Sequence, residues 1–355
     1  NEPELSVEYM IGKMGIELYC EQYLRGKDGY AVVETDVSGN VLSVIEGERP
    51  VNGSDVYLTI DIDLQEAALD ALEITIDEIK DKADYEKNFG DANAAVSVVL
   101  DVDTGEVLAC ANNKYFDPSW FINNDMESEQ KRIAAITDEI DTPMFNRAIN
   151  ALYTPGSIFK PIVAIAGLES NIIDEDSILE CKMKEEIGGH TFTCLSWHGK
   201  INVTKAIEQS CNIFFNLLGV ETGIDNIDAW SRAYGLGVKT GIDLPGESRG
   251  ILSNKEYKME TFNESWWVAD TAQSAIGQLY NNFTPMQIAN YTATLASSGK
   301  KHTPHVILKI EDEQKNIIYE GDISYTHTGI TQETDDIIRE AMKLVAKQGT
   351  ASRVF

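Results

Sequence analysis

Long apolar runs are missing from this 355-residue chain. No stretch of about 18 apolar residues occurs, so no segment is expected to cross a bilayer as a helix. Positive charge is scarce as well. Lys and Arg number 29 against 58 Asp and Glu, a net charge of −29, which argues against nucleic acid or an anionic membrane face as the main partner. Cysteine is sparse: the five residues Cys20, Cys110, Cys181, Cys194 and Cys211 are too few for a disulfide scaffold and leave the redox compartment open. Repeats and low-complexity tracts are absent. What is there is ordinary globular composition, 43% hydrophobic and 25% charged, long enough for one large domain with a small appendage.

Residues 1–50 are Gly-rich, with turn signals at Gly26-Lys27-Asp28-Gly29 and Ser38-Gly39-Asn40 around an alternating strand at 30–35. They read as part of a small β-containing module. The opening Asn1-Glu2-Pro3 reads as the middle of a longer protein. A strand at 56–60 precedes an amphipathic helix with Leu64, Ala68, Leu69, Leu72, Ile76 and Ile79 on one side. A hairpin is expected over 94–110, turning at Asp103-Thr104-Gly105. Helices are expected over 157–166, 203–219, 285–298 and 333–347, with strands at 305–310 and 316–320. Early strands, a helical middle and late strands predict an α/β domain whose sheet joins distant segments.

Pro155-Gly156 breaks the chain just before Ser157, and Lys160 follows one helical turn later. A serine hydroxyl at a helix start faces backbone N–H groups that favour developing negative charge. A lysine packed in an apolar site loses solvation, its pKa falls, and it becomes able to take the serine proton. Ser-x-x-Lys alone is weak, since about one match is expected by chance in this length; Ser297/Lys300 and Ser298/Lys301 match it too. The bland alternative is a helix cap beside a solvated lysine. Ser210-Cys211-Asn212 then sets two polar side chains in an apolar stretch, where each needs a hydrogen-bond partner or a cleft. Ser38-Gly39-Asn40 fits Ser-x-Asn as well, but in a turn with nothing catalytic beside it.

Nine ordered segments resemble the class B penicillin-binding proteins, the monofunctional D,D-transpeptidases of peptidoglycan. They run from Asp55–Gln65 and Asp101–Ala109 through Asn146-Arg147-Ala148, Pro155–Pro161 and Ala206–Asn212. Thr240–Glu247, Ala275-Ile276-Gly277-Gln278, Thr284–Gln287 and Pro304-His305 complete the set. The resemblance implies a transpeptidase domain of the penicillin-binding and serine β-lactamase-like fold over residues 51–355, mainly an antiparallel central sheet flanked by helices. Residues 1–50 would be a remnant of the non-catalytic pedestal. It implies Ser157 as acylated nucleophile, Lys160 as general base, Ser210 as a proton relay and Asn212 as a ligand of the donor amide and of Lys160. The donor would be a stem peptide ending in D-Ala-D-Ala, and β-lactams would mimic it. Further implied are a membrane glycosyltransferase partner of the division, elongation or sporulation machinery and an extracytoplasmic domain anchored by an N-terminal helix.

The family's third element, Lys-Thr-Gly or Lys-Ser-Gly, is not assigned to Lys239-Thr240-Gly241, which runs directly into Ile242-Asp243-Leu244-Pro245. The final helix and Gly349-Thr350-Ala351-Ser352 resemble the stretch just upstream of that element, so the chain is expected to end, at Phe355, before the strands that carry it. Two rival functions follow: a serine β-lactamase or β-lactam sensor, and a non-catalytic cell-wall scaffold.

Cys181, His190, Cys194 and His198 form a separate pattern whose two thiols and two imidazoles suit tetrahedral zinc. Such an ion would brace a loop near the cleft and hold Ser210, taking no part in the chemistry. Asp174, Asp176 and Glu180 are reserve ligands. The alternative is a Cys181–Cys194 disulfide, or reduced core thiols with surface histidines. Cys110 and Cys211 read as small apolar fillers, and Trp266-Trp267 as core.

Overall fold

The computed structural model describes residues 11–81 and 90–354; the expectations attached to Asn1-Glu2-Pro3 and to Phe355 lie outside them. Two short helices, Gly15–Tyr19 and Glu21–Leu24, precede an antiparallel hairpin of Tyr30–Thr35 with Val41–Glu48. Every residue of its two strands is exposed, as fits a strand pair standing apart from the main core.

The strand Asp55–Leu58 pairs antiparallel with Ile307–Glu311, which pairs in turn with Ile317–Glu320. The expected joining of early and late segments is therefore present. The hairpin Val96–Leu100 with Val107–Asn112 abuts this sheet, its Val107 N–H donating to His305 O at 2.9 Å. Asp101 shapes its turn by accepting from the N–H groups of Asp103 and Thr104 at 2.9 and 3.0 Å. The helix Ile62–Asp81 lies against the hairpin, where Gln65 exchanges two hydrogen bonds with the Cys110 backbone.

A helical core is centred on Lys160–Glu169, whose residues from Lys160 to Leu168 are all buried. The helices Asn212–Thr222, Ile224–Ala233 and Gln332–Lys347 pack around it through Ile162, Ile165, Phe214, Leu218 and Ile338. Each such fully buried aliphatic or aromatic side chain contributes about 1.5–3 kcal/mol by leaving water. Trp266 packs against this core and donates to Thr271 Oγ1, whereas Trp267 is 65% exposed, which corrects the expectation that both are core. Its helix begins there, and the chain turns outward.

The sheet and the segment 240–247 are joined by Asp243. Its two buried carboxylate oxygens accept from Val306 N at 2.7 Å and Ile307 N at 2.8 Å, where the strand Ile307–Glu311 begins. Removing this acceptor strands two buried donors. Asp243→Ala is expected to lower the unfolding free energy by about 2–4 kcal/mol, with Asp243→Asn milder because it keeps one acceptor. Chemical denaturation of the two variants beside the parent chain checks this; equal losses for Ala and Asn would contradict the hydrogen-bond account.

Candidate active site

Pro155 starts a single 3-10 turn, Gly156–Phe159, and Lys160 opens the α-helix behind it. Ser157 thus sits on the turn while Lys160 drops into the core at 2% exposure. The helix expected over 203–219 is in fact two helices, Val203–Glu208 and Asn212–Thr222. The break has a local cause: Ser210 adopts φ +51°, in the left-handed region that ends helices and that a non-glycine residue occupies at a cost. The N–H groups of Ser210 and Cys211 close the first helix onto Ile207 O and Ala206 O. Cys211 caps the second, its sulfur accepting from Phe214 N at 3.4 Å.

This turn brings the four expected residues together. Ser210 Oγ donates to Ser157 Oγ at 2.9 Å. Lys160 Nζ donates to Ser210 O at 2.7 Å, Ser210 Oγ at 3.0 Å and Asn212 Oδ1 at 2.7 Å. The Asn212 amide is oriented from its other end, Nδ2 donating to Thr193 O at 3.3 Å. Burial lowers the Lys160 pKa to about 8, against an opposing pull from the neighbouring Cys194 and Cys211. At pH 7 about a tenth of such a lysine is a neutral amine, a base within reach of a hydroxyl. A cleft of about 400 Å³ opens beside Asn212, lined by His190, Thr191, Asp270, Gln273 and Gln278.

The look-alike motifs are consumed elsewhere. Ser297 Oγ donates to backbone carbonyls at the end of the helix Pro285–Ala296, and Ser298 Oγ accepts from Arg339. Ser38 lies in an exposed turn ordered by Asp36. Lys239-Thr240-Gly241 is outside any strand, with Thr240 N–H and hydroxyl and Gly241 N–H all given to the Glu247 carboxylate at 2.6–3.1 Å.

Of the four candidate metal ligands the structure gathers three, with Cys211 beside them and His190 apart. Cys181, Cys194, His198 and Cys211 bring their ligand atoms within 4.8 Å of one another. His190 is exposed on the strand His190–Thr193, paired with Lys184–Ile187, and faces the cleft instead. Cys211 takes its position because the helix break turns its sulfur inward, so it is no inert filler. The sequence did contain that thiol; only the left-handed turn was illegible. Cys194 Sγ lies 3.5 Å from His198 Nδ1 and 3.9 Å from Cys211 Sγ. Those separations approach the roughly 3.5–3.8 Å edges of a tetrahedron with zinc–sulfur and zinc–nitrogen bonds near 2.3 and 2.0 Å. His198 Nε2 is engaged by Ser196 Oγ at 2.9 Å, leaving Nδ1 toward the thiols. Burial, with the Lys160 charge, lowers the His198 pKa from its usual value. The group can coordinate a metal. Among the reserve ligands, Asp174 is turned to Ser177.

With the fold and this constellation described, comparison with known proteins gives the family. Residues 95–354 match the penicillin binding protein transpeptidase domain, and residues 1–58 the penicillin-binding protein dimerisation domain. The chain belongs to the penicillin-binding protein transpeptidase family, in its class B. It is 33% identical over 345 residues to the peptidoglycan D,D-transpeptidase MrdA of Acinetobacter baumannii, covering 96% of this chain and 48% of that protein. With MrdA of Escherichia coli it shares 30% over 355 residues, covering 97% and 52%. Among solved structures, it is similar to the Helicobacter pylori complex between PBP2 and MreC, at TM-score 0.75 and 29% identity, covering 97% of this chain and 59% of that one. A peptidoglycan synthase complex that coordinates polymerization and crosslinking matches at TM-score 0.78 and 31% identity, covering 95% and 56%. The chain spans about half the length of the curated relatives it matches.

Within the site, Gly277 packs directly against the serine turn. Its φ is +72°, and a Cβ there would lie 2.1 Å from the Gly156 carbonyl oxygen, one residue before Ser157. Its own carbonyl accepts from Gly156 N at 3.0 Å. Gly277→Ala is expected to cost about 1–3 kcal/mol of stability and to displace the serine turn. Thermal unfolding and a crystal structure of the variant check both; a parent-like melting temperature would refute the close-packing account.

Proposed function

We propose that this chain carries the catalytic part of a serine D,D-transpeptidase that cross-links peptidoglycan stem peptides and is acylated by β-lactams. The observation that carries the reading is the hydrogen-bonded series Ser157–Ser210–Lys160–Asn212 around a buried lysine of lowered pKa. Ser157 Oγ attacks the carbonyl of the penultimate D-Ala while the neutral Lys160 amine takes its proton, with the Ser210 hydroxyl bridging the two. The C–N bond then breaks, and the proton returns through Ser210 to the departing D-Ala amine. Asn212 holds the donor amide. The amine of a neighbouring stem attacks the Ser157 ester, releasing the cross-link and restoring the serine.

In this reading residues 1–50 belong to the non-catalytic pedestal and residues 51–355 to the catalytic domain. The chain's place is the outer side of a bacterial cell membrane, beside a membrane glycosyltransferase. The neighbours solved with MreC and within a peptidoglycan synthase complex support such partners; no helix among the described residues is long and apolar enough to cross a membrane.

The test is labelling with benzylpenicillin followed by intact mass. One adduct per chain is expected, absent in Ser157→Ala, with a labelling rate that rises with pH through about 8 as Lys160 deprotonates. A slow loss of the adduct fits a transpeptidase. Rapid turnover would favour the β-lactamase reading, and no adduct at any pH would favour the scaffold.

For the thiol–imidazole group we propose zinc, held by Cys181, Cys194, His198 and Cys211. Bound there, the ion would supply rigidity to the loop 194–198 and to the turn bearing Ser210, and no chemistry of its own. About one zinc per chain is expected by elemental analysis. Cys211→Ala should lose it and lower the melting temperature, while His190→Ala should keep it; the reverse pattern would return His190 to the ligand set.

A further inference from the structure

The buried carboxylate of Glu208, two residues before Ser210, has no part in the series described above. It is 4% exposed and ends the helix Val203–Glu208. One carboxylate oxygen accepts from Lys205 Nζ and the other from Gln348 Nε2 at 3.3 Å. The Glu208 backbone carbonyl accepts from Thr350 N, also at 3.3 Å. Between those two contacts Gly349 lies so close that a Cβ on it would stand 2.4 Å from Glu208 O and 3.1 Å from Glu208 Cγ. The tail that leaves the helix Gln332–Lys347 is thus fastened, by side chain and backbone together, to the residue from which the Ser210 turn departs.

We propose that Glu208, clamped by Gln348, Gly349 and Thr350, is a positioning residue for Ser210, so that the path of the chain after the last helix sets the geometry at Lys160. The case rests on the acyl-transfer reading of the site for its consequence and on contacts alone for its structure. Ser210 holds a left-handed conformation that relaxes unless its surroundings enforce it. Its far side is enforced by Lys160, which takes both its carbonyl and its hydroxyl. Its near side hangs from Ile207 and Glu208, and the only partners of Glu208 outside its own helix among the described contacts are the tail residues. A shift of the tail therefore moves the acceptors of the Lys160 ammonium without touching Lys160. Misplacement of about 1 Å in such a site costs on the order of 100-fold in rate.

The test compares Gly349→Ala and Gln348→Ala with the parent chain. The decisive readout is the titration midpoint of Lys160, followed by NMR of its side-chain carbons in lysine-labelled protein and assigned with Lys160→Arg. Neither substituted residue contacts Lys160, so a merely structural role lowers stability and leaves that midpoint where it was. A displaced midpoint in a variant that still unfolds cooperatively is expected, together with benzylpenicillin acylation slowed by about 10-fold to 100-fold. A parent-like midpoint in both variants overturns the proposal. Should Gly349→Ala fail to fold, Gln348→Ala, which removes a single hydrogen bond, decides. If the parent chain itself takes no label, the acyl-transfer reading fails, while the Lys160 midpoint still decides whether the clamp positions the turn.

Discussion

A lysine ammonium taken to 2% exposure loses its water and must find acceptors inside the protein or give up its proton. Lys160 does some of each. Three acceptors surround it, from Ser210 O, Ser210 Oγ and Asn212 Oδ1, yet its pKa still falls to about 8. All three come from one turn of chain, 50 residues away in sequence. The fold must therefore hold the start of the helix Lys160–Glu169 against the break between the helices Val203–Glu208 and Asn212–Thr222. Much of the remaining architecture serves that approach: the apolar packing of Ile162, Ile165 and Phe214, and the bracing of the serine turn by Gly277.

Poise follows from partial satisfaction. A fully solvated lysine would stay protonated near neutrality and serve as no base, while one buried without acceptors would open an energetic deficit of several kcal/mol. The arrangement lies between these limits. Cys194 and Cys211 contribute to it, since the electrostatic pull of these neighbouring sulfurs opposes the effect of burial on Lys160. Burial raises the Cys194 thiol, but backbone N–H groups from Ile213 and Asn212 outweigh that and bring it below its usual value. The thiol group and the lysine are thus electrostatic neighbours as well as neighbours in space.

Much of this was legible in the sequence because it is carried by local pattern. Pro155-Gly156 marks the serine turn, the apolar run after Lys160 marks a buried helix, and the strands expected at 56–60, 94–100 and 305–310 are found at 55–58, 96–100 and 307–311. The order of elements calls only for a sheet joining distant segments, and the pairing of Asp55–Leu58 with Ile307–Glu311 is the form it takes. Two features were not legible. A left-handed serine has no propensity signature, so 203–219 read as one helix. Ligand spacing, in turn, favours residues near in sequence and takes in His190, while Cys211 inside an apolar helix reads as a filler. Both errors have one origin. Once Ser210 is known to break the helix, Cys211 becomes a cap with its sulfur turned inward, beside Cys181, Cys194 and His198.

That turn explains how consecutive residues serve opposite sides of the structure. In a continuous helix, Ser210, Cys211 and Asn212 would step by about 100° each, and Ser210 and Asn212 would diverge by some 160°, unable to meet on one ammonium. With Ser210 left-handed and Cys211 extended, the side chains alternate as in a strand. Ser210 and Asn212 both reach Lys160, while Cys211 faces the thiols and His198 behind. The Asn212 N–H completes the link by donating to Cys194 Sγ at 3.3 Å. Three residues therefore tie the base, the hydroxyl relay and the thiol cluster into one unit. The strain at Ser210 is offset by hydrogen bonds made on both of its faces.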